Sequence, residues 1–157
     1  MTITIRSVRH GDIAELAIIH AQCFPDEAWD ASALATVLSL PGTSGRVASS
    51  EAAELAGFLI AQCLGEVAEI LTLGVAPAER RRGIARALLL DCSREAGALG
   101  AERIVLEVAA DNVAGSALYQ SLGFTRQGTR HGYYRRAAGP PVDAWRLSLL
   151  LRPRITP

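Results

Sequence analysis

Between Ile70 and Leu89 the sequence changes character twice within one short stretch. An apolar run, Ile70 to Val75, leads to Pro77, which stops it. A basic turn with one glycine follows, Arg80 to Arg86, and from Ile84 the apolar residues take helical spacing. The pattern is strand, tight turn, helix start. Such a turn leaves backbone N–H groups unpaired at the positive end of a helix dipole, where an anion is held. Gly83 lacks a Cβ, so a phosphate can approach the backbone closely. An ordinary surface turn leaves the arginines unexplained, because cations at a helix start oppose the dipole. The stretch ends neither in Gly-Lys-Ser/Thr nor in G-x-G-x-x-G, so it is neither a P-loop nor a dinucleotide fingerprint.

The chain around this turn reads as one domain over residues 1–157, long enough for a real core. Sixteen basic residues, all arginine, balance sixteen acidic ones. A neutral chain argues against nonspecific binding to nucleic acid or a membrane surface. No apolar run approaches membrane-span length, and Met-Thr-Ile-Thr-Ile-Arg lacks the apolar core of a signal peptide. Cys23, Cys63 and Cys92 are scattered in apolar surroundings without C-x-x-C spacing. Neither a metal site nor a disulfide frame is expected. Buried free thiols suit a reducing cytoplasm.

Taken in order, Thr2 to Val8 alternates as a strand. A helix follows from Gly11-Asp12, with Ile13, Leu16, Ala17 and His20 on one face. His20 is expected at the core boundary rather than on a metal. Asp30 or Ser32 caps a second helix running to Leu40. Pro41 to Gly45 reads as a loop. Strands are expected over Arg46 to Ser50, Leu55 to Leu64, Val67 to Val75, Arg103 to Val108, Thr125 to Tyr134 and Ala144 to Leu151. Ile84 to Leu99 reads as a helix apolar around most of its surface. Asn112 to Leu122 is a shorter helix capped by Asn112 or Asp111. The tail from Arg152 is expected to fray. The order β-α-α-β-β-β-α-β-α-β-β specifies an α/β (α+β) domain, a mixed sheet of about seven strands with helices on both faces. The strands ending at Val75 and at Val108 are expected as parallel neighbours. If they splay, the cleft between their C-terminal ends is the place for a ligand.

Two motifs carry a resemblance. Arg80-x-x-Gly83-x-Ala85 resembles the pyrophosphate-binding signature of the GNAT superfamily of N-acetyltransferases. Leu106-Glu-Val, continued by Asn112, Tyr119, Gly123 and Phe124, resembles the closing motif of that fold, with Gly115 in place of the usual alanine. The glutamate twelve residues before the tyrosine is most similar to the RimI-type branch, which acetylates the N-terminal amine of a ribosomal protein. The resemblance implies the GNAT fold and acetyl-CoA as cosubstrate, without a metal. It implies cofactor contacts from Leu73, Gly74, Val75, Arg81, Arg82, Gly83, Ile84, Ala85, Arg86, Asn112 and Tyr119. It makes Glu107 the general base, with Glu69 as rival, and Tyr119 the general acid. Cys23-Phe24-Pro25 with Trp29 resembles the branch's substrate loop, and Tyr133 and Tyr134 its groove tyrosines. Phe24 and Trp29 serve equally well as core plugs.

The chemistry suits these residue types. An ammonium has no lone pair, so a carboxylate must take a proton before the amine attacks the thioester. A backbone N–H near Val75 suits the developing oxyanion, and a phenol the departing sulfur. The resemblance implies a protein N-terminus as partner, a ribosomal protein's included, and the enzyme is expected as a monomer or weak homodimer. A GNAT enzyme for a small amine, and a CoA-binding sensor without catalysis, are the alternatives.

Overall fold

The computed structural model describes residues 2–151. The tail expected to fray, from Arg152 on, lies outside them. The elements run β1 (Thr4–Ser7), α1 (Ile13–Cys23), α2 (Ala31–Leu38), β2 (Thr43–Ser49), β3 (Gly57–Leu64), β4 (Val67–Val75), α3 (Ile84–Ala98), β5 (Arg103–Ala109), α4 (Val113–Ser121), β6 (Thr125–Tyr134) and β7 (Val142–Leu150). This is the expected order. All seven strands join one sheet, β1-β2-β3-β4-β5-β7-β6.

Period-two alternation divides the core between the two faces of the sheet. From β3, Leu59 and Ala61 pack with Ile84, Leu88 and Cys92 of α3, while Phe58 and Ile60 pack with Leu16, Ile19 and Leu34 of α1 and α2. Helices therefore cover both faces. Asp30 caps α2, its carboxylate accepting from Ala33 N–H at 2.8 Å. Asn112 caps α4 through Gly115 N–H at 2.9 Å. A Cβ on Gly115 would lie 2.6 Å from the Asn112 side chain, so the glycine makes room for this cap.

Three details depart from expectation. First, β2 starts at Thr43, within the expected loop. Gly45 pairs with Ile60, and a Cβ there would come within 2.7 Å of Leu38 and Val8. It is a close-packing glycine, not a turn glycine. Second, α3 is one-sided. It leaves Leu90 half exposed and buries Asp91 against Arg46 of β2, with Nε–Oδ2 2.9 Å and Nη2–Oδ1 3.0 Å. Third, only Cys92 is buried; Cys23 and Cys63 are half-buried. Burial pushes the Cys92 thiol up to about 12, which leaves it inert as a nucleophile.

The sheet opens where β4 meets β5. Their parallel pairing covers Val67↔Arg103, Ala68↔Ile104 and Glu69↔Val105 and goes no further. β4 continues to Val75 and β5 to Ala109. A bulge explains the parting: Ile60 faces Thr72 and Ala61 faces Ile70, so Leu71 is an extra residue in β4. A bulge bends its strand and sharpens its twist, and here the rest of β4 turns away from β5. Ala76 N–H bonds Ala56 C=O at 2.8 Å. Ladder alternation then turns the Gly74 N–H toward β3 and the Leu73 and Val75 N–H groups into the gap.

Candidate active site

The gap opens into a cavity of about 890 Å³, near the upper end for a small-molecule site. Its lower wall is the end of β4 and the turn into α3. Gly83 is left-handed, with φ 80°, and precedes α3 without a side-chain cap. The first helical bond closes from Ala87 N–H to Gly83 C=O, so the N–H groups of Ile84, Ala85 and Arg86 have no intrahelical partner. Arg81 is also left-handed, with φ 65°, the one non-glycine residue in that region among those described. Strain of this kind persists where surrounding structure enforces it and clusters at ligand clamps. Arg80, Arg81 and Arg86 line the cavity beside these donors.

Two contacts fix the turn. Glu79 is buried and accepts from Ser50 Oγ and Arg82 Nη1, both at 2.8 Å. Arg80 Nε donates to Val75 C=O at 3.2 Å, and Cys23 Sγ donates to the same carbonyl at 3.4 Å. Arg82, expected among the phosphate contacts, is instead turned onto Glu79 and does not line the cavity. A buried carboxylate draws the nearest guanidinium to itself.

α4 and the α1–α2 loop complete the lining. Tyr119 lines the cavity, edge-on to Phe124 at 5.7 Å between centroids. Burial pushes its phenol up to about 12, so the hydroxyl keeps its proton throughout the working pH range. Phe24, Pro25, Asp26 and Glu27 also line the cavity, as do Asp111 and Arg136. Arg136 Nη2 donates to Asp111 Oδ1 at 3.0 Å, and its guanidinium stands 5.7 Å from the Tyr134 ring.

Of the expected site residues, the cavity gathers Phe24, Leu73, Gly74, Val75, Arg81, Gly83, Ile84, Ala85, Arg86, Asn112 and Tyr119. The others stand elsewhere. Trp29 stacks on His20 at 5.0 Å and packs with the α1–α2 core, so it is a plug. Tyr133 and Tyr134 form a T-shaped pair at 5.1 Å, outside the cavity lining. Glu69 pairs with Gln62 and Val105 where β4 and β5 still join, below the gap. Glu107, 15% exposed, lies 2.8 Å from Arg130 and 3.6 Å from Arg146. Neither carboxylate lines the cavity. Sequence reading missed Glu79, Glu27, Asp111 and Arg136; Arg80 opened the quoted phosphate signature but stood outside the expected contacts, Arg81 to Arg86. Glu27 stood inside the quoted substrate-loop motif, at a position the motif leaves open.

His20 organises that loop. It is 2% exposed and stacks among Phe24, Trp29 and Phe58. Its Nδ1 accepts from Trp29 N–H at 3.1 Å, so Nε2 carries the proton and donates to Thr72 Oγ1, also at 3.1 Å. Burial lowers the imidazole from 6.5 to about 4. Between those values the unfolded chain binds a proton that the folded one refuses. The contribution of His20 to stability is therefore intact above pH 6.5 and lost as pH falls toward 4, about 3 kcal/mol in all. Denaturant titrations at pH 7 and pH 4.5 should show this loss in the wild type and much less of it in His20→Gln. Equal losses in both proteins would place the acid sensitivity elsewhere.

Comparison with known proteins agrees with this geometry. Residues 13–124 match the profile of the Acetyltransferase (GNAT) family. N-alpha-acetyltransferase RimI of Mycobacterium tuberculosis is 36% identical over 141 residues, 85% of either chain. The [Ribosomal protein bS18]-alanine N-acetyltransferase of Salmonella typhimurium is 39% identical over 85 residues, 54% of this chain and 57% of that one. The crystal structure of the ribosomal-protein-S18-alanine N-acetyltransferase from Escherichia coli superposes with a TM-score of 0.86 at 28% identity, covering 96% of this chain and 94% of the other. With its splayed sheet and arginine turn, the chain belongs to the GNAT family of acetyl-CoA-dependent acetyltransferases.

Proposed function

We propose that the protein acetylates the N-terminal α-amine of a protein, of the ribosomal-protein-alanine type, in the cytoplasm and as a monomer or weak homodimer. One observation carries the reading. A single cavity is lined both by an arginine-bearing anion turn and by the acidic and aromatic residues of the α1–α2 loop. The turn fits a pyrophosphate and the loop residues a cationic amine on an extended chain. The relatives' names favour a protein N-terminus over a small amine.

Bound acetyl-CoA would supply the activated acetyl group. Arg80, Arg81 and Arg86, with the free N–H groups at the start of α3, would hold its pyrophosphate. The Val75 N–H would face the carbonyl oxygen that gains charge, and Tyr119 O–H the sulfur that leaves. Glu107 acts as base in this scheme only through water, past Arg130. A free α-amine, near 8, is partly neutral at physiological pH, whereas a lysine, near 10.4, is not. The site therefore favours α-amines. Thiol release from acetyl-CoA, with mass spectrometry of peptides beginning in a small residue, tests this. Acetyl groups should sit on the N-terminus. Acetylation mainly on internal lysines, or faster turnover of polyamines, would overturn the assignment.

The turn gives a second expectation. A Cβ on Gly83 meets nothing within 4 Å, but φ 80° strains any L side chain. Gly83→Asp adds that strain and a negative charge at the anion site. Acetyl-CoA affinity measured by calorimetry should fall at least tenfold, about 1.4 kcal/mol. Unchanged affinity in a folded variant would remove this turn from the site.

A further inference from the structure

Glu107 faces away from α3. Ile104, Leu106 and Val108 join the core beneath that helix, so alternation puts Glu107 on the other face of β5, level with Arg146 of β7. Its charge meets two guanidinium groups. Arg130 Nε stands 2.8 Å away and Arg146 Nη1 3.6 Å, and both come closest to the same oxygen, Oε1. Oε2 is the less encumbered of the two.

Arg130 reaches Glu107 across an intervening strand. The order β5-β7-β6 puts β7 between them, and neighbouring strands lie about 4.8 Å apart. Ala144, opposite Arg130 in β7, carries a single methyl and leaves the crossing open. Arg130 Cζ also lies over the Tyr133 ring, 5.2 Å from its centroid. In a regular strand Tyr133, three residues on, would point away from Arg130. A bulge reverses it. Between the pairs Arg130↔Ala144 and Tyr134↔Val142, β6 holds three residues and β7 only Asp143. Asp143 pins that bulge. Its Oδ1 accepts from Gly132 N–H at 2.8 Å, at a glycine with φ 61°, and its Oδ2 lies 3.3 Å from His131 Nδ1. Arg130 is 57% exposed, so its ion pair adds little to stability. What the clamp fixes is direction.

We infer that Arg130 is a positioning residue for acetyl transfer: held against Tyr133, it binds Oε1 of Glu107 and leaves Oε2 to accept the proton of the incoming amine. This deepens the reading of the protein as an α-amine acetyltransferase with Glu107 as base, and rests on it. One ammonium proton passes through a water to Oε2, breaking an N–H bond. The freed lone pair forms the C–N bond as the C–S bond breaks, and the amine's second proton goes to the leaving sulfur by way of Tyr119. Glu107 then returns its proton to solvent. Arg146 stays beside Glu107 when Arg130 is removed, so the carboxylate is misdirected rather than stranded.

The test is steady-state kinetics on the full chain, with acetyl-CoA and a peptide whose N-terminus the wild type acetylates. Arg130→Met should lower kcat by about tenfold or more at unchanged peptide KM, since misplacing a reacting group by an ångström can cost about 10²-fold. Acetyl-CoA affinity and Tm should match wild type. Arg130→Lys, which restores a cation without the planar fork, should recover part of the loss. In a Glu107→Gln background Arg130→Met should cost nothing further, because the arginine acts through the carboxylate. The same fold-loss in both backgrounds, a raised KM at constant kcat, or wild-type turnover in Arg130→Met would each overturn the inference and leave the acetyltransferase reading standing. Wild-type turnover in Glu107→Gln would overturn the base assignment along with the inference. A wild type that binds acetyl-CoA yet acetylates no peptide N-terminus would overturn the α-amine reading as well.

Discussion

Replacing Tyr119 by phenylalanine should lower turnover by 10² to 10⁴, about 3–5 kcal/mol of barrier, and leave acetyl-CoA binding nearly unchanged. Phenylalanine keeps the ring and with it the edge-on contact to Phe124. What disappears is the hydroxyl of the one α4 hydroxyl-bearing residue that lines the cavity. A phenol held near 12 is a weaker acid than a thiol near 8.5, so Tyr119 is no proton reservoir. In the proposed role it would donate a hydrogen bond to the sulfur and relay a proton only as negative charge builds there. That benefit would be confined to the transition state, so kcat and kcat/KM should fall together while KM stays put. Stopped-flow or steady-state thiol release would read this. Turnover within threefold of wild type would return Tyr119 to the core as a packing residue.

The second large effect is on stability. Arg46 joins β2 to α3 through two hydrogen bonds to Asp91, whose side chain is 4% exposed. A third bond, from Arg46 Nη1, reaches Ser7 Oγ at 3.0 Å. Removing one partner of a buried pair strands the other, which costs about 3–5 kcal/mol. Arg94, 3.3 Å away but 74% exposed, is a weak substitute. Arg46→Ala should therefore lower Tm by about 10 °C, at roughly 2–4 °C per kcal/mol for a chain of this size. Arg46→Met combined with Asp91→Leu should recover most of the loss, because an apolar pair of similar volume has no stranded charge. A single variant that melts within 3 °C of wild type would mean that Asp91 reaches water.

Both effects bear on what the residues disclosed before folding. The anion turn was legible because its chemistry is local: a strand stop, a glycine and the unpaired N–H groups of one helix start sit within a few positions. Tyr119 was named only through the resemblance of its motif, because a tyrosine beside Leu118 and Leu122 on a short helix reads by itself as core. The splay was foreseen as a condition only, since its cause is a bulge at Leu71 that no composition marks. Arg46–Asp91 was invisible, being a contact between positions forty-five residues apart on elements that each looked ordinary. Glu107 and the tyrosine pair were named from a motif that specifies strand positions but not which guanidinium a carboxylate will meet. Gly45 misled for the opposite reason, because a glycine kept for close packing reads in one dimension like a turn.

The open seam between β4 and β5 makes the middle of this sheet behave like a boundary. Amide groups in a central strand ordinarily exchange with solvent only when the whole molecule unfolds. Here the Leu73 and Val75 N–H groups belong to a central strand yet have no neighbouring strand to bond. In the free protein their deuterium uptake should be as fast as at an outer edge, while Gly74 between them stays slow. A cosubstrate arm laid along the seam would silence both. Because it binds only the folded chain, saturation at 100 Kd should add about 2.7 kcal/mol to the free energy of unfolding. A bound acetyl-CoA would thus stand in for a missing stretch of strand pairing, and the resistance of this protein to heat and proteolysis should rise with acetyl-CoA concentration.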